Sequence, residues 1–347
     1  MYYIEKSFNK RWAGVLFAAL MMICAIGSGN MPQINNIASV LDSTFSIPKL
    51  ATGLILGVML WMIIAGGIKR IAKIASKLVP IMAVIYFGGA LVVVIENYQN
   101  IIPSFHSIFS QVFTGSAAAG GFLGASFAMS LKLGVARGLY SNEAGQGSSP
   151  IAHASAKAEH SVEQGMVSIL EPFIDTIVVC SVTALVILSS GAWTQKYDNT
   201  FERSSMAIFE GSYAENNSKD VEELGKYILD ARNFTSDTTN VENFTGSLDL
   251  IDGQLQKQSV TVFHNNSIAE DVVFYQGAEP VSGLLEIADG KIADSSIRVE
   301  GKSLIHSAEL TSKAFGSGIL GMYGEYIVAI GLLLFAFSTA IAWSYYG

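Results

Sequence analysis

Residues 162–190 read VEQGMVSILEPFIDTIVVCSVTALVILSS, an apolar run interrupted by Glu163, Glu171, Asp175 and a single proline. As a helix rising about 1.5 Å per residue it crosses the roughly 30 Å of hydrocarbon in a bilayer. Gln164, Ser168, Glu171 and Asp175 are spaced i, i+4, i+7 and i+11, so they share one helical stripe. An unpaired charge at membrane depth costs about 2.5–3.5 kcal/mol on insertion scales, so the stripe is expected to face protein or a cavity. Pro172 removes one backbone donor and frees a carbonyl about one turn back, where a cation or a water could bind. Glu171 stands only about 14 Å into the run, so simple hydration at the interface is the competing reading.

The rest of the chain agrees with a membrane protein. Half of its 347 residues are apolar, 14% are charged, and the mean hydropathy is +0.41. Soluble domains carry about 25% charge. Five further runs are long enough to be read as spans: Trp12–Val40, Ala51–Gly67, Val79–Ile95, Ala119–Tyr140 and Tyr323–Tyr345. The expected fold is therefore an all-α polytopic membrane protein with six transmembrane helices. Five lie in a membrane domain over residues 1–193 and one over 309–347. No signal peptide is read at the start, where Met1–Arg11 is charged and amphipathic. Cys24 and Cys180 both lie in apolar runs and read as buried thiols, too few for a disulfide framework or a structural zinc site.

Basic residues orient the spans. Lys6, Lys10, Arg11, Lys69, Arg70, Lys73, Lys77, Arg137 and Lys157 fall at one set of ends, and only Lys49 at the other. Both ends of the chain are thus expected at the cytoplasmic face of the cell (inner) membrane, with residues 194–308 outside. That region and the residues after it to Gly321 hold 10 basic against 20 acidic side chains. Lys219–Asn233 has Val221, Leu224 and Ile228 on one helical face. Ser259–His264, Asp271–Gln276 and Ser296–Glu300 read as strands, with Ala288-Asp289-Gly290 as a turn. The expectation is a small β-rich extracytoplasmic insertion, read most simply as solvated and without a binding role.

Several function classes are excluded by what is missing. A formal charge of −8 with 21 scattered basic residues gives no nucleic-acid patch. No Walker A, H-E-x-x-H, C-x-x-C or G-x-S-x-G motif occurs, so no enzyme is expected. Gly145-Gln146-Gly147 is too short for a dinucleotide fingerprint and follows no strand. His153, Glu159 and His160 have no fourth donor at a metal-ligand spacing and read as loop residues.

Two spans carry further polar features. In the first, Gly27-Ser28-Gly29-Asn30 and Gln33 follow about sixteen apolar residues. Sixteen residues reach only about 24 Å, which favours a helix continuing to about Val40 over a stop at Gly29. In the fourth, Ala117–Gly121 leads into Gly120/Gly124 and Gly134/Gly138 pairs, with Ser130, Lys132 and Arg137 inside the run. Small residues allow either close packing of a continuous helix or a break that exposes backbone groups to a ligand.

Two longer runs are more specific: GVARGLYSNEAGQGSSPIAHA (134–154) and LEPFIDTIVVC (170–180). With MYYIE (1–5), GGIKR (66–70), FAFST (335–339) and WSYYG (343–347), they resemble the alanine/glycine:cation symporter family, within the amino acid-polyamine-organocation superfamily. The resemblance covers residues 1–193 and 309–347. It implies a partial leucine-transporter-type inverted repeat, in which the six spans correspond to the family's third to eighth helices. Ala119–Tyr140 would then be the broken sixth, unwound over Ala128–Lys132.

On the same resemblance, Gln33, Phe127, Ser130 and Leu131 would bind substrate, while Ser338 and Thr339 would ligate the cation. Glu171 and Asp175 are further candidates for ion coupling. The implied function is sodium-coupled symport of small neutral amino acids (alanine or glycine) by alternating access. Sodium is the coupling ion, protons are the alternative, and no cofactor or resident metal is implied. The expected partners are the amino acid, sodium and the lipid bilayer. Two departures qualify the likeness. The family's first two helices are not found before Met1, which marks a fragment expected not to transport alone, and relatives have a short loop in place of residues 194–308. A membrane-anchored receptor or sensor whose outer domain binds a ligand is the alternative, and a channel is disfavoured because no filter sequence is visible.

Overall fold

The computed structural model of the chain describes residues 2–114, 118–119, 122–123, 127–231, 239–256 and 259–347. Its helices in chain order are α1 (Tyr2–Phe8), α2 (Arg11–Cys24), α3 (Met31–Phe45), α4 (Lys49–Ile64), α5 (Gly67–Glu96), α6 (Ile101–Thr114), α7 (Phe127–Tyr140), α8 (Glu143–Gln146), α9 (Ser149–His153), α10 (Ser161–Pro172), α11 (Cys180–Ser190), α12 (Ser218–Ala231), α13 (Ser307–Gly316) and α14 (Met322–Tyr346). The chain divides into two compact units, one of residues 1–98, 136–190 and 308–347, the other of residues 99–135 and 191–307.

In the first unit, a π-helical turn over Ala25–Asn30 joins α2 to α3, so the helix continues past Gly29 as its length requires. Gly29 is needed there, because a Cβ would run into the Trp343 ring of α14. Helices α3, α4, α5 and α14 pack around Ile37, Leu56, Ile63, Ile71, Ala336, Phe337 and Ile341. The α5–α14 crossing is close because it is made at small residues: a Cβ on Gly89 would sit 2.9 Å from Ile327, and Ala336 and Ala340 are buried. Tyr86 of α5 and Thr183 of α11 share a hydrogen bond of 2.6 Å, which satisfies two hydroxyls among apolar neighbours.

The expectation of an all-α chain with six transmembrane helices in a partial leucine-transporter-type inverted repeat is corrected on two counts. Among the described residues, four helices are long and apolar enough to cross a membrane: Arg11–Asp42, Gly67–Glu96, Val162–Ser190 and Met322–Tyr346. The run read as Ala51–Gly67 is helix α4, whose 16 residues span about 24 Å. Among the described residues of the run read as Ala119–Tyr140, the helix is α7 from Phe127, and Ala119 and Phe122–Leu123 lie in short strands. The backbone of Ala128–Lys132, expected to be unwound, is helical, and residues 115–117, 120–121 and 124–126 lie outside the described residues.

The second count is the sheet content of the other unit. After the short pair β1 (Ala118–Ala119) and β2 (Phe122–Leu123) come β3 (Tyr197–Thr200), β4 (Met206–Glu210), β5 (Gly246–Ile251), β6 (Gln254–Leu255), β7 (Val260–His264), β8 (Ser267–Ile268), β9 (Glu270–Gln276), β10 (Glu279–Pro280), β11 (Gly283–Ala288), β12 (Lys291–Ile292) and β13 (Ile297–Ser303). They form sheets in the orders β10-β9-β13-β3, β12-β11-β5-β6 and β4-β7-β8. Alternation drives them: in β5, Leu248 and Leu250 are buried between exposed neighbours, and in β11 Leu285 and Ile287 repeat the pattern.

These sheets reveal an internal repeat that the strand reading above does not contain. TGSLDLIDGQLQKQSVTV (245–262) matches SGLLEIADGKIADSSIRV (282–299) with a constant offset of 37 residues. The structure obeys the same offset. Strands β5 and β11 pair antiparallel with Leu248 opposite Leu285, and Gly246 opposite Ile287 mirrors Gly283 opposite Leu250. Asp252 N donates to Ser282 Oγ, and Asp289 N donates to Thr245 Oγ1, both at 3.0 Å. Gly253 O accepts from Phe274 N of β9 and Gly290 O from Ile208 N of β4, both at 2.9 Å, so each turn is also tied to a strand outside the repeats.

The repeats diverge on their outer faces. Helix α12 lays Val221, Leu224 and Ile228 over Phe209 and Phe263, whereas Glu300, equivalent to Phe263, is half-buried and pairs with Arg298, which stacks 5.4 Å from the Tyr275 ring.

Gly253 adopts φ +76°, and a Cβ there would sit 2.6 Å from Val273 Cγ1 and 2.8 Å from Phe274 O. Gly253→Ala is expected to destabilise this unit by about 2–4 kcal/mol, since strain and overpacking combine. Gly277→Ala, at φ +65° but facing open space, should cost about 1 kcal/mol. Hydrogen exchange of β5 and β11 in the two variants checks the order, and equal protection would refute it.

Candidate functional site

The densest polar constellation in the first unit is built where residues 141–153 meet the fifth apolar run. Pro172 has no N–H to give, and immediately after it Phe173–Val179 winds as a π-helix before α11 resumes. Insertions of this kind release backbone carbonyls and are frequent at functional positions. Thr176, on the π-segment, receives the Asn142 amide at 2.9 Å and shares a hydrogen bond of 2.8 Å with Ser141. Asn142 also caps α8, its Oδ1 accepting from Gly145 N at 2.6 Å, and Gly147 ends that helix at φ +78°.

Glu171 ties three elements together. One carboxylate oxygen accepts from Glu143 N and the other from Ser149 Oγ, each at 2.8 Å, so the charge of α10 sits at the first residues of both α8 and α9. His153 Nε2 stands 3.7 Å from the same carboxylate, and its Nδ1 is bonded to the Gln164 amide. Ser148 donates to the Glu143 carboxylate. Burial raises the Glu143 carboxyl above its ordinary range; the Ser148 hydroxyl opposes that shift, while Glu171 and Asp175 reinforce it. A cleft of about 700 Å³ opens beside the network, lined by Ala144, Ser149, His153, Gln164 and Ser168 among others.

Of the residues expected to bind substrate, Gln33 lies on α3 and is partly buried, while Phe127, Ser130 and Leu131 lie on α7 in the other compact unit. Ser130 and Leu131 are exposed, and the Phe127 side chain is outside the described residues. Ser338 and Thr339, the expected cation ligands, sit on α14 with both hydroxyls donating to Phe335 O, at 2.8 and 3.0 Å. Those bonds leave their oxygen lone pairs able to accept a cation. Glu171 is engaged as described, and Asp175 Oδ2 is buried without a hydrogen-bond partner. Among the described residues no cluster of His, Cys, Asp or Glu is arranged to hold a metal ion.

The Asn142, Glu143, Ser148, Ser149 and His153 set was passed over in the sequence, His153 being read as a loop residue. The signal that could have found it is Glu171 itself. A carboxylate inside an apolar run needs donors, and a neighbouring segment rich in Ser, Asn and backbone N–H supplies them.

The comparisons with known proteins agree with the motif likeness. The family model described as the sodium:alanine symporter family matches residues 1–216 and 292–347. An uncharacterized transporter, YflA, of Bacillus subtilis is 42% identical over 196 residues, which is 56% of this chain and 41% of the relative. The sodium/alanine symporter AgcS of Methanococcus maripaludis is 42% identical over 195 residues, 55% of this chain and 42% of its own length. A probable sodium/glutamine symporter, GlnT, of Bacillus subtilis is 41% identical over 192 residues, covering 55% and 39%. The chain thus spans about two fifths of the length of the curated relatives it matches.

Proposed function

Because the chain belongs to the sodium:alanine symporter family, a family of multi-pass membrane transporters, we propose that it serves sodium-coupled symport of small neutral amino acids. The family match over both helical ends of the sequence carries this reading. Alternating access needs no covalent chemistry, only polar groups presented at membrane depth in two arrangements, and the π-segments at Ala25–Asn30 and Phe173–Val179 supply places where apolar helices depart from regular geometry.

Gln33, Phe127, Ser130 and Leu131 face the amino acid in this reading. Ser338 and Thr339 ligate sodium, and Glu171 with Asp175 responds to ion occupancy. The basic ends of the helices lie at the cytoplasmic face and residues 194–308 outside.

Sodium and amino acid then raise each other's affinity, because each stabilises the arrangement that holds the other. Uptake of radiolabelled alanine by vesicles from cells making the full-length gene product, with and without a sodium gradient, tests the function. Accumulation indifferent to both sodium and proton gradients overturns it. For the sites, Ser338→Ala with Thr339→Ala is expected to raise the sodium concentration for half-maximal uptake about tenfold, equivalent to about 1.4 kcal/mol of lost binding. An unchanged sodium dependence removes the two hydroxyls from the cation site.

A further inference from the structure

We propose that the first turns of α5 form a docking surface for the headgroups of anionic phospholipids. Helix α5 has 30 residues and is therefore about 45 Å long, some 15 Å more than the hydrocarbon of a bilayer. The excess is its N-terminal end, GIKRIAKIASK (67–77), which carries Lys69, Arg70, Lys73 and Lys77 and no acidic residue.

At about 100° per residue the four cations fall within one arc of about 100°, while Ile71, Ile74 and Leu78 point to the opposite side. That apolar side is seated: Ile71 is buried, and Ile74 and Leu78 pack against the core shared by α3, α4 and α14. All four cations are exposed, and among the described residues none of them makes an ion pair. Gly66, before the helix, leaves room for the stem of Arg70, which lies back over it where a Cβ would collide.

A fixed apolar face therefore holds an unneutralised row of charge at the level where α5 leaves the hydrocarbon. Lipid phosphates are the anions found at that depth. Each cation near an anionic surface strengthens the attraction about fivefold, and the effect fades within a Debye length. The proposal does not depend on what the protein carries.

The test uses the full chain reconstituted in phosphatidylcholine vesicles containing a minority of phosphatidylglycerol, with the lipids retained on the released protein weighed by native mass spectrometry. The wild type is expected to retain phosphatidylglycerol at least about tenfold above its share of the bilayer. Lys69→Gln, Arg70→Gln, Lys73→Gln and Lys77→Gln together should bring the ratio back to that share, whereas Lys49→Gln, at the other end of the helices, should leave it unchanged. If the fourfold variant does not insert, raising the salt around the wild type gives the same reading, because a headgroup held by charge is lost as ionic strength rises. Retention in the bilayer ratio by the wild type, enrichment surviving neutralisation or high salt, or displacement by inorganic phosphate at an ionic strength where chloride leaves the lipid in place each overturns the proposal.

Discussion

Glu171→Ala is expected to free residues 143–153 from α10 and to accelerate their amide exchange about a hundredfold. The side chain accepts hydrogen bonds from Glu143 N and Ser149 Oγ and lies near His153, so its loss removes two bonds to a charged acceptor, worth about 1.5–3 kcal/mol each. The donors left behind are partly buried, and the two short helices whose first residues they occupy have little stability of their own. Exchange measured by mass spectrometry on the protein in lipid nanodiscs separates this from global unfolding. Protection should fall in α8 and α9 and persist across α14. Glu171→Gln retains an acceptor without its charge and should fall between the two, while Glu163→Ala should match the wild type. If Glu171→Ala leaves 143–153 protected, the carboxylate is a bystander and the reading of the constellation fails.

That network shows what the sequence could and could not disclose. The stripe of Gln164, Ser168, Glu171 and Asp175 was legible, because helical spacing is a local property and hydrocarbon forbids unpaired charge. The partners were not legible. They come from a segment with no apolar periodicity, and loops without a period place their donors through tertiary contacts alone. For Ser338 and Thr339 the helix was legible from its apolar length, but rotamers that return both hydroxyls to Phe335 O are set by packing.

The number of spans failed for a physical reason. Hydropathy counts residues that tolerate oil without asking whether they hold a helix of spanning length, so the 16 residues of α4 and the run before α7, whose described residues 118–119 and 122–123 are strand, scored as crossings. The strand reading fared better, since Ser259–His264, Asp271–Gln276 and Ser296–Glu300 became β7, β9 and β13 within a residue or a few. The pairing of β5 with β11 was hidden for want of one observation, the repeat at an offset of 37 residues. Once seen, it predicts that β5 lies beside β11 and that each Asp-Gly turn is held by the other repeat.

The same β module should lose about 3 kcal/mol of stability as the pH falls from 6.5 to 4, through His264. Its side chain is 1% exposed and stacked on Phe201 with centroids 4.4 Å apart. Nε2 accepts from Glu202 N at 3.2 Å, which places the proton on Nδ1, facing Ser303 Oγ at 2.7 Å. A second proton would have to enter at Nε2, against an N–H already pointing there. Burial, helped by the positive charge His306 can carry, lowers the pKa from 6.5 to about 4.

Between those values the unfolded chain binds the proton and the folded one does not. Stability is therefore complete above about pH 6.5, falls as the pH drops toward 4, and levels off below. The difference, at about 1.4 kcal/mol per tenfold change in proton affinity, sets the size. Carboxylates elsewhere titrate in the same range, so the measurement is a difference: exchange protection of β7 and β13 followed from pH 7 to 4 in the wild type and in His264→Gln. The variant starts less stable, having lost the stacking, but its protection should decline with pH by about 3 kcal/mol less than the wild type. Parallel curves would mean that His264 is protonated as easily inside the fold as outside it, and that the Nδ1-protonated ring is not what holds Glu202 and Ser303 together.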